Sequence, residues 1–415
     1  MKYIRERNQF KFNITLPKVV KLINSIFEKG GYKLYLVGGA VRDFIDGRKP
    51  KDFDVATNAT PKEVVEMFSE IFGIKKEKAN EYILNNKWRI NLQGESFAVV
   101  VIYIPGEREG IEIASFNTRH DGKIVVDGVT LEQDAERRDL TFNALYYDIS
   151  KGEVIDLVGG VDDLKNKKVR MVGDPDERIK EDPLRIQRIF RFACRYDSVM
   201  DEETKKAING NKDLYRNSTP ERPNGVSQER IIQEFVKSFK TSPDFTTYLG
   251  FINEFKMWDI LFPGISFGTF DISKYTSTNK LSICLSQILI NEGMDIFKSI
   301  MVNEWKFPKD ITQETSLFVE MTRLEMSKKA VNLKMRKERF NISDKITKEF
   351  INLMGLNDKE IIKSFLKFDP TIDSKKLMDK NGIENNNGKI KNPSKDGKKL
   401  GMLISKERIN NFNSL

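Results

Sequence analysis

The sequence predicts an α+β amino-terminal region, a mixed sheet with flanking helices, followed by a largely all-α remainder. Three observations support this fold class. Residues Pro17–Lys29 carry apolar side chains at helical spacing. Residues Phe97–Ile104 (FAVVVIYI) and Ile111–Phe116 (IEIASF) are strongly strand-like runs, separated by Pro105, Gly106 and Gly110. After about Pro175 helical apolar spacing dominates and turn signals become few.

The amino-terminal elements follow one another in short steps. After the first helix and a Gly-Gly break, the pattern predicts a strand, a glycine turn and a short helix ending at Gly47. A further strand and a helix with proline in its first turn come next. The segments are Lys33–Val37, Gly38-Gly39, Asp43–Asp46, Lys51–Ala56 and Thr60–Glu63.

The carboxyl-terminal part is predicted to be helical over Asp176–Tyr196, Ser227–Ser238 and Leu281–Ile300. The stretch Lys380–Lys399 is poor in apolar residues and rich in Asn, Gly and Lys, so we expect a disordered tether or a basic loop. We divide the chain into three domains: residues 1–172, 173–260 and 261–415.

Composition narrows the function classes. The net charge of +9, from 70 basic and 61 acidic residues, favours a globular protein with a cationic face for nucleic acid. Two cysteines in 415 residues are no disulfide framework and fit a cytoplasmic location. A single histidine excludes a multi-histidine metal site. No apolar run reaches the ~18 residues of a membrane span, so we expect no membrane partner.

The densest chemical signal lies between Leu36 and Pro61. Asp52 and Asp54 are two residues apart in a strand-like context, so both carboxylates point to one face. Two adjacent like charges repel, and a cation with a preference for hard oxygen ligands, Mg²⁺ or Mn²⁺, would remove that cost. The Gly38-Gly39 pair allows close approach of a phosphate, and Arg42 is predicted to reach the same phosphates.

These motifs resemble the head of the class II nucleotidyltransferases, the family of CCA-adding tRNA nucleotidyltransferases and bacterial poly(A) polymerases. The resemblance begins with LVGGAVRD and DFD, at Leu36–Asp43 and 52–54. It continues through Ile111–Phe116, Glu136–Tyr147 (ERRDLTFNALYY) and Leu157–Tyr196 in the family's order. It covers about residues 17–240 and implies a catalytic head over 1–172, a helical neck that recognises the base over 173–260, and a helical body and tail that binds RNA over 261–415.

The resemblance implies a reaction. An RNA 3′-hydroxyl attacks the α-phosphate of ATP or CTP and releases pyrophosphate, with two metal ions held by Asp52, Asp54 and a third carboxylate, Glu112. Glu109 is the nearby alternative for that third acid. By the family's precedent Arg138 grips the triphosphate, Asp139 reads the ribose and Asn143 supports it.

The segment Glu181-Asp182-Pro183-Leu184-Arg185 resembles the family's base-recognition motif. Pro183 suits the first helical position, so we expect Asp182 to be the N-cap. Arg185, Arg188 and Arg191 follow at intervals of three on one face; the resemblance places them in the nucleotide pocket, and Glu181 is expected to brace Arg185.

The pairing edge of adenine and cytosine shows an amino donor beside a nitrogen acceptor. A carboxylate only accepts and a guanidinium only donates, so an Asp182–Arg185 pair fits A and C and mismatches G and U. The same logic serves CCA addition and adenine-only addition. Gly94–Val101 stands where enterobacterial poly(A) polymerases carry an arginine-rich segment, which favours CCA addition to tRNA. A catalytically silent RNA- or nucleotide-binding module of the same fold is the alternative from another class.

Overall fold

The computed structural model describes residues 8–50, 52–78, 80–93, 98–107, 109–120, 123–217, 225–264, 271–290, 300–386, 389–390 and 393–415. The described chain divides into two units: residues up to Glu234 with 241–243, and residues 235–240 with the chain from Asp244 onward. The three-domain division with boundaries at 172 and 260 stays a prediction. Within the described ranges, no helix combines the length and apolar character needed to cross a membrane.

The first unit is built on a mixed sheet of ten strands, in the order β1-β12-β11-β2-β3-β8-β7-β6-β5-β4. Its neighbouring strands run antiparallel except β3 and β8, which are parallel. The strands are β1 Asn8–Lys11, β2 Leu34–Val37, β3 Val55–Thr57, β4 Ile74–Lys78, β5 Glu81–Leu84, β6 Arg89–Leu92, β7 Val99–Tyr103, β8 Ile111–Ser115, β11 Leu145–Asp148 and β12 Glu153–Asp156, with a separate hairpin of β9 Thr118–His120 and β10 Lys123–Val125.

The helices of the first unit flank this sheet or follow it. They are α1 Lys18–Lys29, α2 Gly39–Ile45, α3 Pro61–Phe72, α4 Leu131–Glu136, α5 Gly160–Lys165, α6 Pro175–Glu181, α7 Arg185–Tyr196, α8 Glu202–Asn211 and the first part of α9 Gln228–Thr241. A short parallel pair, β13 Lys168–Val169 and β14 Val199–Met200, lies among the later helices. The α+β class predicted from the strand runs is therefore confirmed.

The second unit is helical. After α9 come α10 Phe245–Glu254, α11 Trp258–Leu261, α12 Leu281–Leu289, α13 Lys309–Thr322, α14 Ser327–Arg339, α15 Asp344–Leu353, α16 Glu360–Lys367, α17 Ser374–Lys380 and α18 Pro393–Asn413. Its core cluster includes Phe318 and Phe350, whose rings stack with centroids 4.6 Å apart. The mostly α-helical character predicted beyond about Pro175 is confirmed.

Three local predictions need correction. The strand expected at Lys51–Ala56 is observed at Val55–Thr57, so Asp52 and Asp54 precede the strand. The helical stretch Asp176–Tyr196 is two helices, because the chain turns at residues 182–184, where proline interrupts the backbone hydrogen bonds.

The segment Lys380–Lys399 also differs from the expected tether or loop. It contains two-residue strands, β15 Asn385–Asn386 and β16 Lys389–Ile390, and the start of α18 at Pro393. Leu377, Met378 and Ile383 pack with Leu400 in a small apolar cluster, which gives this end of the chain a core of its own. Residues 387–388 and 391–392 of the segment, and 94–97 of the segment compared with poly(A) polymerases, lie outside the described residues.

Candidate functional site

The glycine turn joins the end of β2 to the start of α2. Gly38 has φ +61° and ψ −117°, a backbone conformation that residues other than glycine rarely adopt, and it directly precedes the helix. A Cβ built on Gly38 would lie 4.0 Å from Nη1 of Arg138. The structure thus brings together the glycine turn and the arginine that the resemblance assigns to the triphosphate, 100 residues later in the chain.

The candidate metal ligands lie at the amino-terminal ends of β3 and β8, two neighbouring strands in the middle of the sheet. Asp54 accepts a hydrogen bond from the Val37 amide through its backbone carbonyl (3.0 Å) and directly precedes β3. Val55 is paired with Ile113 on the parallel strand β8, so Asp54 and Glu112 stand one residue before that pair on neighbouring strands, which are spaced ~4.8 Å apart. Asp52, Asp54 and Glu112 are all exposed.

The register and the oxygen donors suit a hard divalent cation. Within the described ranges, however, no three Asp, Glu, His or Cys side chains are close enough together to hold a metal ion. Metal binding by Asp52, Asp54 and Glu112 therefore stays a prediction, based on the backbone register and the donor chemistry.

Arg42 is placed differently from the expectation that it contacts phosphates. Its side chain is buried, its Nε donates to the Tyr196 hydroxyl (2.5 Å) and its Nη1 donates to Oδ1 of Asn143. The guanidinium also lies 4.7 Å from the ring centroid of Phe192. Arg42 therefore ties α2 to α7 and orients Asn143 through Nε and Nη1, while its Nη2 would lie 3.6 Å from a Cβ built on Gly39.

Arg138 belongs to a buried cluster with Asp134 and Tyr146. Its Nη2 lies 3.0 Å from Oδ2 of Asp134, its Nε donates to the Tyr146 hydroxyl (3.0 Å), and that hydroxyl donates to Asp134 (2.7 Å). Burial opposes ionisation of Asp134, but the charges of Arg138 and Arg137 outweigh it and hold its pKa below the usual range. Burial raises the pKa of Tyr146, which is neutral and can donate.

Asp134 is a site residue that sequence reasoning missed. The available signal was its spacing: it stands three and four residues before Arg137 and Arg138 at the end of α4, where an acid and a base meet on one helical face. The exposed fraction of the Arg138 side chain is 15%, so its orientation is set by protein contacts while part of it remains accessible.

Asp139, Asn143 and Arg188 form a second cluster. Oδ1 of Asp139 accepts from the Leu140 amide and from the Asn143 side chain (both 2.9 Å), and Oδ2 accepts from Nε of Arg188 (2.7 Å). Burial opposes ionisation of Asp139, yet Arg188 and Asn143 together hold its pKa well below the usual range. The predicted ribose reader is therefore an anion whose position is set by an arginine on α7.

The base-recognition segment occupies the turn between α6 and α7. Because α7 begins at Arg185, the expectation that Asp182 is its N-cap is wrong; Oδ1 of Asp182 instead accepts from the Leu184 amide (3.2 Å). The predicted brace is confirmed: Nη1 of Arg185 lies 2.8 Å from Oε2 of Glu181. Arg185 also donates to the backbone carbonyls of Arg178 (2.7 Å) and Arg137 (3.2 Å).

Arg191 departs from the expected role in the nucleotide pocket. It is 2% exposed, and its Nε lies 2.5 Å from Oε1 of Glu234, which is itself buried. Its guanidinium stacks on Phe192 at 4.2 Å from the ring centroid. Each step of three residues turns an α-helix by about 300°, so side chains at this interval shift progressively around α7. Arg188 therefore meets Asp139, whereas Arg191 meets Glu234 of α9.

The described site thus places Arg138 beside the glycine turn, and exposed acids at the amino-terminal ends of β3 and β8. Arg138 is placed for an anionic group near Gly38, Asp139 for a hydroxyl donor, and Asp182 with Arg185 for a group that both donates and accepts. This combination is suited to a nucleotide, with its phosphates, sugar and base read by separate side chains.

Comparison with known proteins agrees with the motifs. Residues 34–170 match the family model described as the poly A polymerase head domain. The resemblance to the class II nucleotidyltransferases is thereby confirmed for this segment of the chain.

Two curated relatives represent the two activities of that family. Poly(A) polymerase I of Salmonella typhi is 31% identical over 283 residues, covering 66% of this chain and 55% of the relative. The CCA-adding enzyme of Lactobacillus helveticus is 35% identical over 216 residues, covering 51% of this chain and 47% of the relative. The chain spans about half the length of these relatives.

The fold is shared more widely than the sequence. The Thermotoga maritima CCA-adding enzyme complexed with tRNA matches with a TM-score of 0.63 and 19% identity, covering 97% of this chain and 93% of that one. The α+β amino-terminal part followed by a helical remainder is therefore the fold of solved CCA-adding enzymes.

Proposed function

We propose that this chain is a template-independent RNA nucleotidyltransferase that adds CCA, or its terminal A, to tRNA 3′ ends from CTP and ATP. The observation that carries the proposal is the arrangement around Gly38. The glycine turn lies beside Arg138, and the same sheet bears the exposed pair Asp54 and Glu112 in parallel register. The head-domain family match over residues 34–170 supports the same reaction class.

Each part of the incoming nucleotide has a proposed partner. The Arg138 guanidinium binds the triphosphate beside the Gly38-Gly39 turn, whose missing side chains let phosphate oxygens approach the backbone. Asp139, kept anionic by Arg188, accepts a hydrogen bond from a ribose hydroxyl. Asp182 accepts from the exocyclic amine of cytosine or adenine, and Arg185 donates to the neighbouring ring nitrogen.

Asp52, Asp54 and Glu112 are the proposed ligands of Mg²⁺ or Mn²⁺, which, when bound, favours ionisation of the RNA 3′-hydroxyl and stabilises charge on the phosphate oxygens. The three carboxylates supply hard oxygen donors and little else, because positioning and electrostatics account for most of phosphoryl-transfer catalysis. The chain's one histidine agrees with a reaction that needs little side-chain acid–base chemistry.

A primer series tests the proposal. Purified protein receives, with Mg²⁺, a tRNA ending at the discriminator base, the same tRNA ending in CC, and an oligoadenylate, each with one nucleoside triphosphate at a time. We expect CTP alone to add two C to the tRNA that ends at the discriminator base, and ATP alone to add one A to the tRNA that ends in CC. The matched control is the Asp52→Ala, Asp54→Ala double variant, which should retain RNA binding at low salt and lose transfer.

Poly(A) polymerase activity is the second candidate. It is favoured by the longer match to poly(A) polymerase I, which covers 66% of this chain against 51% for the CCA-adding enzyme of Lactobacillus helveticus. Long A tracts on any RNA, including the oligoadenylate, would establish it in place of CCA addition. Failure of the wild-type protein to incorporate any nucleotide with Mg²⁺ or Mn²⁺ would instead leave a binding module of the same fold.

A further inference from the structure

Asp182 is held by hydrogen bonds to its backbone and to both of its carboxylate oxygens. Its Oδ1 accepts from the Leu184 amide at 3.2 Å, and its backbone carbonyl accepts from the Arg185 amide at 3.0 Å. Its Oδ2 lies 2.8 Å from Nη2 of Arg230 in α9, 48 residues further along the chain. The turn sets the backbone and one oxygen, while the second oxygen is oriented by a residue outside the base-recognition motif.

The Asp182–Arg230 pair is partly open to solvent. The exposed fraction of the side chain is 22% for Asp182 and 40% for Arg230. A pair this exposed contributes little to folding, because water screens it and two long side chains lose rotamer freedom. Its larger consequence is directional: the arginine fixes the plane of a carboxylate that a ligand can still reach.

We propose that Arg230 is a specificity-determining positioning residue, which orients the Asp182 carboxylate so that an accepting oxygen faces the amino group of an incoming cytosine or adenine. The inference rests on the proposed function and adds a residue from α9 to the selection of the base. Arg230 acts through Asp182 and needs no contact with the nucleotide itself.

The physical basis is the difference between an Asp182 carboxylate whose orientation is fixed by Arg230 and one that can rotate. A carboxylate held in one plane repels the O4 of uracil and the O6 of guanine, which also carry lone pairs. A carboxylate free to rotate can turn away from these oxygens, so the wrong bases lose their penalty. Cytosine and adenine meanwhile lose a hydrogen bond that was ordered before they arrived. Both changes lower the selectivity.

The test measures kcat/KM for CTP and UTP on a tRNA primer with the full chain. Arg230→Ala should lower kcat/KM for CTP about tenfold, the scale of one hydrogen bond to a charged group, and lower the CTP/UTP ratio by at least as much. Arg230→Lys keeps a charged donor on a flexible stem and should restore part of the ratio.

Arg89→Ala serves as the matched control. Arg89 lies on β6, 3.7 Å from Glu81, with its side chain 53% exposed. This variant should leave the CTP/UTP ratio unchanged. Thermal unfolding of all three variants separates loss of the fold from loss of selection.

The outcomes separate this inference from the proposed function. If the wild type is active and Arg230→Ala lowers stability while the CTP/UTP ratio stays the same, Arg230 only ties α9 to the turn and the inference is overturned. If Arg230→Lys is as unselective as Arg230→Ala, a charged donor at this position is insufficient and the positioning argument fails. Absence of transfer by the wild type contradicts the proposed function instead.

Discussion

The two units of this protein differ in the kinds of side chain that they bury. Among described residues, the first unit encloses many charged side chains: Arg42, Asp43, Asp134, Asp139, Asp148, Asp156, Asp163, Arg191 and Glu234. In the second unit the buried charged residues are Lys334 and Lys337, and most of its other buried side chains are apolar, around Phe318 and Phe350. The first unit therefore combines its apolar core with many buried charges, whereas the core of the second unit is mostly apolar.

Buried charges and buried apolar side chains differ in what they contribute to stability. A buried charge costs several kcal/mol of desolvation, which its partner repays only with good geometry. An apolar core of equal volume would stabilise the first unit at least as well. Two of the buried acids pair with arginines of the candidate site: Asp134 with Arg138, and Asp139 with Arg188.

The largest effect should separate chemistry from stability in the first unit. Asp52→Asn removes one charge from the exposed acids, so transfer should fall about a thousandfold, ~4 kcal/mol in activation free energy. The melting temperature should stay within a degree or two, about the effect of an ordinary surface substitution. Single-turnover incorporation and calorimetry measure the two.

Glu112→Gln and Glu109→Gln form the matched pair for that experiment. Transfer should fall in Glu112→Gln and persist in Glu109→Gln, because Glu112 is in register with Asp54 on β8. The reverse result would move the third carboxylate to Glu109.

The second prediction probes the apolar unit. Phe318 and Phe350 are both fully buried and stacked, so Phe318→Ala should leave a cavity and lower the free energy of unfolding by about 3–5 kcal/mol. Denaturant titration measures the loss. The CTP/UTP preference at a permissive temperature should not change; a changed preference would mean that this core also shapes the base site.

The third prediction concerns the buried ion pair of α7 and α9. Glu234→Gln leaves the Arg191 charge buried with a weaker partner, so the free energy of unfolding should fall by about 3 kcal/mol. Lys62→Ala breaks the exposed pair with Glu66, where the side chains are 86% and 55% exposed, and should cost under ~1 kcal/mol. Equal losses in both variants would contradict the contrast between buried and surface charge.

The smallest effect is a dependence on pH. The pKa of Asp139 is depressed in the folded state, so its ion pair stabilises the fold above the unfolded value of ~3.9, and this contribution is lost as pH falls from there toward the folded pKa. Asp139→Asn should lower stability by about 1–2 kcal/mol at pH 7. The difference from wild type should shrink below pH 4 in urea titrations; a constant difference would mean that charge is not the cause.

Much of the site was predictable from local sequence. The turn at Gly38-Gly39, the acids around β3, the strand bearing Glu112 and the brace from Glu181 to Arg185 all follow from short-range spacing. These features depend on residues within a few positions of one another, where backbone geometry leaves few choices.

The partners of the arginines were not predictable in this way. Arg42 contacts Tyr196, 154 residues away, and Asp182 contacts Arg230, 48 residues away. Helical spacing shows which side chains share a face, but it does not show what packs against that face. That is why Arg42 and Arg191 turned out to be buried in the protein.

The sequence by itself determined the class of fold, the order of its strands and helices along the chain, and the residue types available for nucleotide chemistry, because these depend on local backbone preferences and on the alternation of apolar and polar side chains. Only the tertiary structure determined which charged side chains form pairs. Those pairings depend on the register of β3 with β8 and on the packing of α2 and α9 against α7, where the burial of each ion has to be matched by a partner from a distant part of the chain.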